Sequence, residues 1–292
     1  MRVLSTFVLS MLLLVACQSA VDDVPGCTYE TALNYNPEAT IDDGGCVFEG
    51  EENTGCIDGT GSVSYHGYDY SVVQIGDQCW FSENLRTQVY ANGDSILNPS
   101  QANTWYEPLY VDFGYEFDPS GDSISPCILA TGMDFDCDSA AQLYDMGRLY
   151  TWFAAHDVRN ICPSGWHIPT RMDWFSLFEF MGVSNPSLPG FINPSGNVLW
   201  SDQNIGPRLM LTNGGWNPSV PTGDNSLGFS AIPSALINSW YWYLGYSSTW
   251  WSSQTSTDGD RAESWTIASG TDGVIFHNLG KSAARSCRCI QD

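Results

Sequence analysis

The sequence predicts an α+β fold, with two helices ahead of a strand-rich second half. Two observations carry this. From Tyr144 to Met181 the chain reads as an apolar helix candidate, a loop through Cys162, Pro163 and Gly165, and a second helix candidate. After Val183 the texture changes to Gly, Pro, Ser and Asn among short apolar pieces, which is the pattern of short strands separated by turns.

The chain begins with Arg2 as a minimal positive region, then an apolar run from Val3 to Val15 that is short for a membrane span. The run closes Leu14-Val15-Ala16-Cys17, which resembles a bacterial lipobox. Residues 1–16 are therefore expected to be a lipoprotein signal peptide, with Cys17 lipidated and multiply acylated, enough for stable anchoring. Gln18 stands where an Asp-type retention signal would be, so the expected location is the outer membrane, with the chain displayed at the surface. Residues 17–25 read as a tether.

Ten Lys and Arg face 33 Asp and Glu, a net charge of −23. Such a surface repels phosphate backbones, which excludes nucleic acid as a partner. Calcium, a neutral polysaccharide or a surface protein is compatible with it, and so is acidity that serves solubility alone.

Ten cysteines in an exported chain argue for disulfides. With Cys17 carrying lipid, nine remain and one is left over. Residues 26–47 resemble a short cysteine-bounded repeat of bacterial surface proteins. A Cys27–Cys46 disulfide would close it and constrain its unfolded state by roughly 3 kcal/mol in the chain-entropy model. Asp42 and Asp43, with nearby Asn34 and Asn36, offer oxygens to a hard cation, although the same residues make turns without metal. Residues 48–54 are an acidic linker, and the main domain spans 55–292.

Within that domain, His66-Gly67 marks a hairpin between strand-like residues from Val63 to Val73. Val72, Val73 and Ile75 suit a strand, Gly76-Asp77 a turn, and Trp80 and Leu85 the core. Residues 91–143 are rich in loops and acids. Asp134, Asp136 and Asp138 resemble the opening of an EF-hand calcium loop, but Ser139 replaces its glycine and Asp145 its final Glu. A looser cation site or a solvated acidic loop accounts for them as well. Cys127–Cys137 would staple this loop.

Tyr144, Leu149, Trp152, Phe153 and His156 fall near helical spacing and predict a helix over 141–155. Thr170 is an N-cap with Asp173 three residues on, and Gly182 a stop, which predicts the second helix between them. NIGPRLML, GGWNP, LGFSAIPSALI, WYWYLGY, TWWSS, ESWTIA and GVIFHN then read as strand pieces. Ser286 to Ile290 is expected to be a last strand with Cys287 and Cys289 on one face.

Several separated pieces now agree: Val73-Gln74-Ile75-Gly76-Asp77-Gln78-Cys79-Trp80, Glu83-Asn84-Leu85-Arg86-Thr87, Gly147-Arg148-Leu149-Tyr150, Cys162-Pro163-Ser164-Gly165-Trp166-His167, Gly228-Phe229-Ser230-Ala231-Ile232-Pro233, Trp250-Trp251-Ser252-Ser253 and Arg288-Cys289. In this order they resemble the Fibrobacter succinogenes major paralogous domain, over roughly residues 56–292. The resemblance implies an exported domain with a C-type-lectin-like fold, in which two helices flank a twisted, mainly antiparallel sheet with long loops. It also implies a Cys162–Cys289 disulfide tying the first helix region to the final strand. Cys56, Cys79 and Cys287 stay unassigned. The resemblance brings no established reaction or ligand.

The calcium-sugar motifs of C-type lectins are not recognisable here. Trp216-Asn217-Pro218 lacks the acid and Glu107-Pro108-Leu109 the amide. The aromatic run Trp240 to Tyr246 is the candidate ligand surface. One face of that strand is expected to pack, leaving Tyr241, Tyr243 and Tyr246 to stack on sugar rings. His167 is expected to be structural, and the Cys287-x-Cys289 pair is better explained by disulfides than by a catalytic thiol. The sequence reading is therefore a surface-exposed lipoprotein binding module, not an enzyme, for glycans or another extracellular polymer. The alternative is a structural or protein-interaction envelope lipoprotein; an enzyme comes a distant third.

Overall fold

The computed structural model describes residues 24, 26–28, 35–40, 56, 60–97, 110–111, 146–189, 196–216, 223–237, 241–256 and 259–292; for 60, 110–111, 235–237 and 241–244 it describes the backbone alone. The fold is α+β and mostly sheet. The strands are β1 (Thr60–Tyr65), β2 (Tyr68–Ile75), β3 (Gln78–Phe81), β4 (Tyr110–Val111), β5 (Leu149–Thr151), β6 (Trp166–His167), β7 (Asn197–Leu199), β8 (Ser234–Ile237), β9 (Tyr241–Leu244), β10 (Ser247–Thr255), β11 (Arg261–Ala268), β12 (Val274–Gly280), β13 (Ala284–Ser286) and β14 (Ile290–Gln291). The helices are α1 (Trp152–Ala155), α2 (Arg171–Phe180) and α3 (Ile205–Leu209). Among the described residues no helix is long and apolar enough to cross a membrane.

The strands form two sheets. One has the order β1-β2-β3-β14-β6; the other runs β4-β5-β13-β8-β10-β11-β12-β7, with β9 added on β8. The β1–β2 hairpin forms as its turn residues predict. His66 and Gly67 both take positive φ (49° and 77°), as a two-residue turn matched to strand twist requires. Consecutive residues then feed opposite sides. Trp80 and Trp250 join one aromatic core with Trp174 and Trp265, while Phe81 and Trp251 join the other with Tyr65, Tyr70 and Trp166.

The helix expected over 141–155 is not what forms. Residues 149–151 are strand β5, paired with β13 and β4, and α1 is a single turn; residues 141–145 lie outside the described set. All three β5 residues are buried. A strand buried on both faces loses its alternation, and its apolar run then mimics a helical stripe. NIGPRLML is likewise α3 rather than a strand. Ile205 and Leu209 share its buried side, and Pro207 sits in the first turn where no intrahelical N–H is needed.

The second helix follows the sequence closely. Thr170 Oγ1 accepts from Asp173 N at 3.2 Å, and the Asp173 carboxylate accepts from Thr170 N at 2.7 Å. This reciprocal cap contributes about 1 kcal/mol. At the far end Gly182 takes φ 103°, its N–H donates to Glu179 O, and Val183 N–H donates to Phe178 O. The pattern is a Schellman stop, with Phe178 and Val183 in one core. The buried face of α2 carries Trp174, whose ring centroid lies 5.1 Å from that of Trp80 and 6.1 Å from that of Trp265.

The expected last strand is two strands in two sheets. β13 lies between β5 and β8, and β14 between β3 and β6. Residues 287–289 cross from one sheet to the other, so Cys287 and Cys289 do not share a strand face. The crossing is fixed by Leu85 N–H donating to Cys287 O and Phe81 N–H to Cys289 O. Cys289 bonds to Cys162, with Cα atoms 5.8 Å apart, as the family resemblance implied. Cys56 bonds to Cys79, and Cys287 is free and buried. Cys27 is disulfide-bonded; its expected partner Cys46, and the Cys127–Cys137 pair, lie outside the described residues.

Candidate functional site

Two clefts meet on either side of the turn that follows β3. One, of about 240 Å³, is lined by Tyr68, Ser82, Glu83, Asn84, Arg86, Leu211, Ser230, Ile232 and Arg288. The other, of about 340 Å³, is lined by Tyr65, His66, Tyr68, Tyr70, Arg86, Thr87, Gln88, Val89 and Arg148, with Gly67 at the hairpin tip. Tyr68 and Arg86 line both and form the shared wall.

That wall is held rigidly. Tyr68 OH donates to Glu83 Oε2 at 2.5 Å, Arg86 Nη2 donates to the same oxygen at 2.7 Å, and Ser71 N–H donates to Glu83 Oε1 at 2.9 Å. The Arg86 guanidinium lies 4.3 Å from the centroid of the Tyr68 ring. Partial burial pushes the Glu83 carboxyl up, but the donors from Tyr68, Ser71 and Arg86 outweigh it and hold the group below the usual carboxylate range. On the other side, His66 Nδ1 meets Thr87 Oγ1 at 2.8 Å, Tyr150 OH donates to Thr87 O, and Arg148 Nη1 donates to Arg86 O. The loss of water around the His66 ring lowers its pKa to about 4, so it is neutral above that.

Behind the wall lies a buried polar hub. Asn84 Nδ2 donates to Met146 O at 2.9 Å and to Ser286 Oγ at 3.4 Å. Its Oδ1 accepts from Trp250 Nε1 at 2.8 Å and from Arg288 Nε at 3.1 Å. Arg288 also donates to the carbonyls of Phe81, Phe229 and Ser230, and its guanidinium lies 4.0 Å from the Phe229 ring centroid. Full burial lowers its pKa to about 9, so it stays charged at neutral pH. Gly147 completes the hub. It takes φ 79°, and a Cβ there would stand 2.7 Å from Asn84 Cβ and 2.9 Å from Leu85 O. The motifs containing Asn84, Gly147, Phe229, Trp250 and Arg288 are thus brought to one point.

The residues expected to bind ligand are placed elsewhere. Tyr241 and Tyr243 share one face of β9 by strand alternation, but their side chains are outside the described set. Tyr246, in the turn after β9, is 40% exposed. None of the three lines the paired clefts. Cys17 and the expected cation ligands Asp42, Asp43, Asp134, Asp136 and Asp138 lie outside the described residues. Among the described residues no group of three His, Cys, Asp or Glu is arranged to hold a metal. His167 is clamped between carboxylates. Its Nδ1 is 2.5 Å from Asp292 Oδ1 and its Nε2 3.2 Å from Asp173 Oδ2. The Asp173 contact, aided by Asp292, raises its pKa against the opposing effect of burial.

Sequence reading missed Tyr68, Glu83, Arg86 and Arg148 as a cluster. A usable signal was present: in a chain with so few cations, Arg86, Arg148 and Arg288 each fall within a motif. No curated protein and no solved structure matches the chain. The model of the Fibrobacter succinogenes major domain matches residues 73–291, which include the turn, the hub and the crossing segment, and the chain belongs to that family.

Proposed function

We propose that this chain is a surface-displayed binding module, held to the outer membrane by lipid on Cys17, that engages glycans or another extracellular polymer. The observation that carries the reading is the paired cleft around Tyr68, Glu83 and Arg86. A binding site needs polar groups fixed before the ligand arrives, so that ordering them does not weaken association. Here an aromatic ring, a carboxylate and a guanidinium are locked to one another at the mouth of a groove. Ligand clefts run to roughly 300–1,000 Å³. Each cleft alone is at or below the small end of that range, which suits one sugar ring or the end of a chain.

The C-type-lectin-like reading of the fold agrees with this function. It draws support from α2 packed on the sheets and from the Cys162–Cys289 tie to the last strand. Exposed Tyr246, in the turn after the strand that carries Tyr241 and Tyr243, offers a second contact for a polymer that extends past the clefts. The alternative, a structural or protein-interaction lipoprotein, is favoured by the exposed Met172 and Phe180 on α2.

Retention of the chain on a glycan array and on insoluble polysaccharides, with and without calcium, tests the reading. Binding is expected, with loss in Tyr68→Ala measured well below that variant's own thermal midpoint. Retention on no glycan in either condition overturns it in favour of the structural reading. Loss in Tyr246→Ala alone would move the site to β9.

A further inference from the structure

One side of α2 carries apolar residues in the open. Met172 is 62% exposed and Phe180 54%, and with Ser176 they stand four residues apart along one stripe of the helix. The outer face of a surface helix ordinarily carries polar residues. Beside the stripe lies a third cleft, of about 380 Å³. Ser176, Glu179 and Phe180 line it from α2, and Gly76 and Asp77 from the β2–β3 turn. None of these residues lines the paired clefts. The Phe180 ring is seated by its neighbours. Gly76 takes φ 63°, and a Cβ there would stand 2.9 Å from Cδ2 of that ring. The ring therefore rests on the bare backbone of the turn, while the residue stays more than half exposed.

Both sides of this cleft are acidic. Asp77 and Glu179 are exposed, and neither is held in an ion pair among the described residues. Nine of the ten Lys and Arg are described residues and none of them lines the cleft; the tenth is Arg2. The rest of the chain can therefore bring further acid to the cleft but, Arg2 apart, no lysine or arginine. Phe180 is the last residue of α2, so the negative end of the helix dipole points the same way. An arginine matches this combination better than a lysine. Its guanidinium is weakly hydrated, stacks on an aromatic face and forks onto a carboxylate, whereas an ammonium is a compact and strongly hydrated charge.

We propose that this face of α2 docks another protein through an arginine-bearing segment, with the guanidinium in the cleft of Asp77, Glu179 and Phe180 and an apolar side chain of the same segment on Met172. Eight helical residues separate Met172 from Phe180, about 12 Å along the axis. An extended segment covers that distance in about four residues. A second copy of this chain is a poor occupant, because its arginines are few and Arg86, Arg159 and Arg171 already pair with acids. The proposal goes beyond the reading of the paired clefts and stands or falls apart from it.

The full chain is titrated with a labelled Gly-Leu-Ser-Gly-Ser-Arg-Gly peptide and with counterparts that carry lysine or citrulline in place of the arginine, read by fluorescence anisotropy. Binding is expected to be tightest for arginine and weakest for citrulline, which keeps the shape and loses the charge. The double variant Asp77→Asn/Glu179→Gln should weaken it about tenfold, the loss of a charged contact, at unchanged thermal midpoint. Phe180→Ala should weaken it about threefold, the worth of an exposed cation–π contact; if that variant does not fold, the double variant carries the test. The pair Glu38→Gln/Asp272→Asn removes the same charge from exposed acids that do not line the cleft, and should change binding less than about twofold, because remote charges are screened. Tyr68→Ala should leave it unchanged. Equal losses in the two double variants overturn the cleft in favour of the general field of an acidic protein, and a loss in Tyr68→Ala as large as that in Asp77→Asn/Glu179→Gln overturns it in favour of the paired clefts. Equal binding of the citrulline peptide overturns the charge argument, and equal binding of the lysine peptide overturns the choice of arginine. A glucosamine tetramer that displaces the peptide more effectively than unlabelled peptide does overturns the protein partner in favour of an amine-bearing glycan. No binding of the arginine peptide overturns the proposal and leaves the paired clefts untouched.

Discussion

Asn84 uses both amide protons and both lone-pair directions of its oxygen, and all four partners are buried or backbone. Among side chains of its size only an amide supplies that set. Aspartate would lose the donors to Met146 O and Ser286, and leucine would leave Trp250 Nε1 and Arg288 Nε without their acceptor. Each orphaned buried donor costs roughly 1–3 kcal/mol. Asn84→Leu is therefore expected to destabilise the fold by about 2–4 kcal/mol, read as a lower denaturation midpoint at unchanged slope. Near wild-type stability would mean that the hub is dispensable. The same logic explains why Glu83 sits below the ordinary carboxylate range. Its charged form is the one that Tyr68, Ser71 and Arg86 bind.

At the scale of elements, His167 links β6, the start of α2 and the residue after β14. Its folded pKa is raised above the ordinary value of 6.5 by Asp173 and Asp292. The clamp thus stabilises fully below that value and is lost as pH rises through the raised one. Asp173 runs the other way. Burial pushes it up, but the contacts with His167 and Thr170 prevail and hold it below 3.8, so its contribution is lost as pH falls through its lowered pKa. The advantage of the wild type over His167→Gln should shrink as pH rises above 6.5 and through the raised folded pKa, measured as the difference in thermal midpoint. A difference independent of pH would show that charge plays no part. α2 was legible because its signals are local: Thr170 with Asp173, a stripe of apolar residues, then Gly182. β5 was not, because its partners come from residues 110–111 and 284–286, and no local rule gives a strand buried on both sides. The cleft was legible only in part. Glu83 and Arg86 are three apart and stood in one motif, but Tyr68 and Arg148 reach them through the hairpin register and the position of Gly147.

For the whole molecule, ten cysteines would pair evenly, and free Cys287 is the odd one that lipid on Cys17 would leave. Burial raises the pKa of the Cys287 thiol, which keeps it protonated and unreactive beside an established disulfide. The lipid anchor is a separate claim with its own test. Cys17→Ser is expected to move the chain from the detergent-extracted membrane fraction to the soluble one, followed by fractionation and immunoblotting. An unchanged distribution would rule out lipidation at Cys17.

The crossing at 287–289 has a temporal consequence. The strand that joins β3 to β6, the cysteine that locks Cys162, and the arginine that gathers the hub all lie within the span from Arg288 to Gln291. A ribosome makes them after everything they hold together. The sheet that holds β3 and β6 therefore cannot close until the segment through Gln291 has emerged from the ribosome. A nascent chain stalled with Ala283 as its last exposed residue should be cut by protease within β2, β3 and β10–β12, and one extended past Gln291 should resist there. Resistance in the shorter chain would show that the core closes without its last strands.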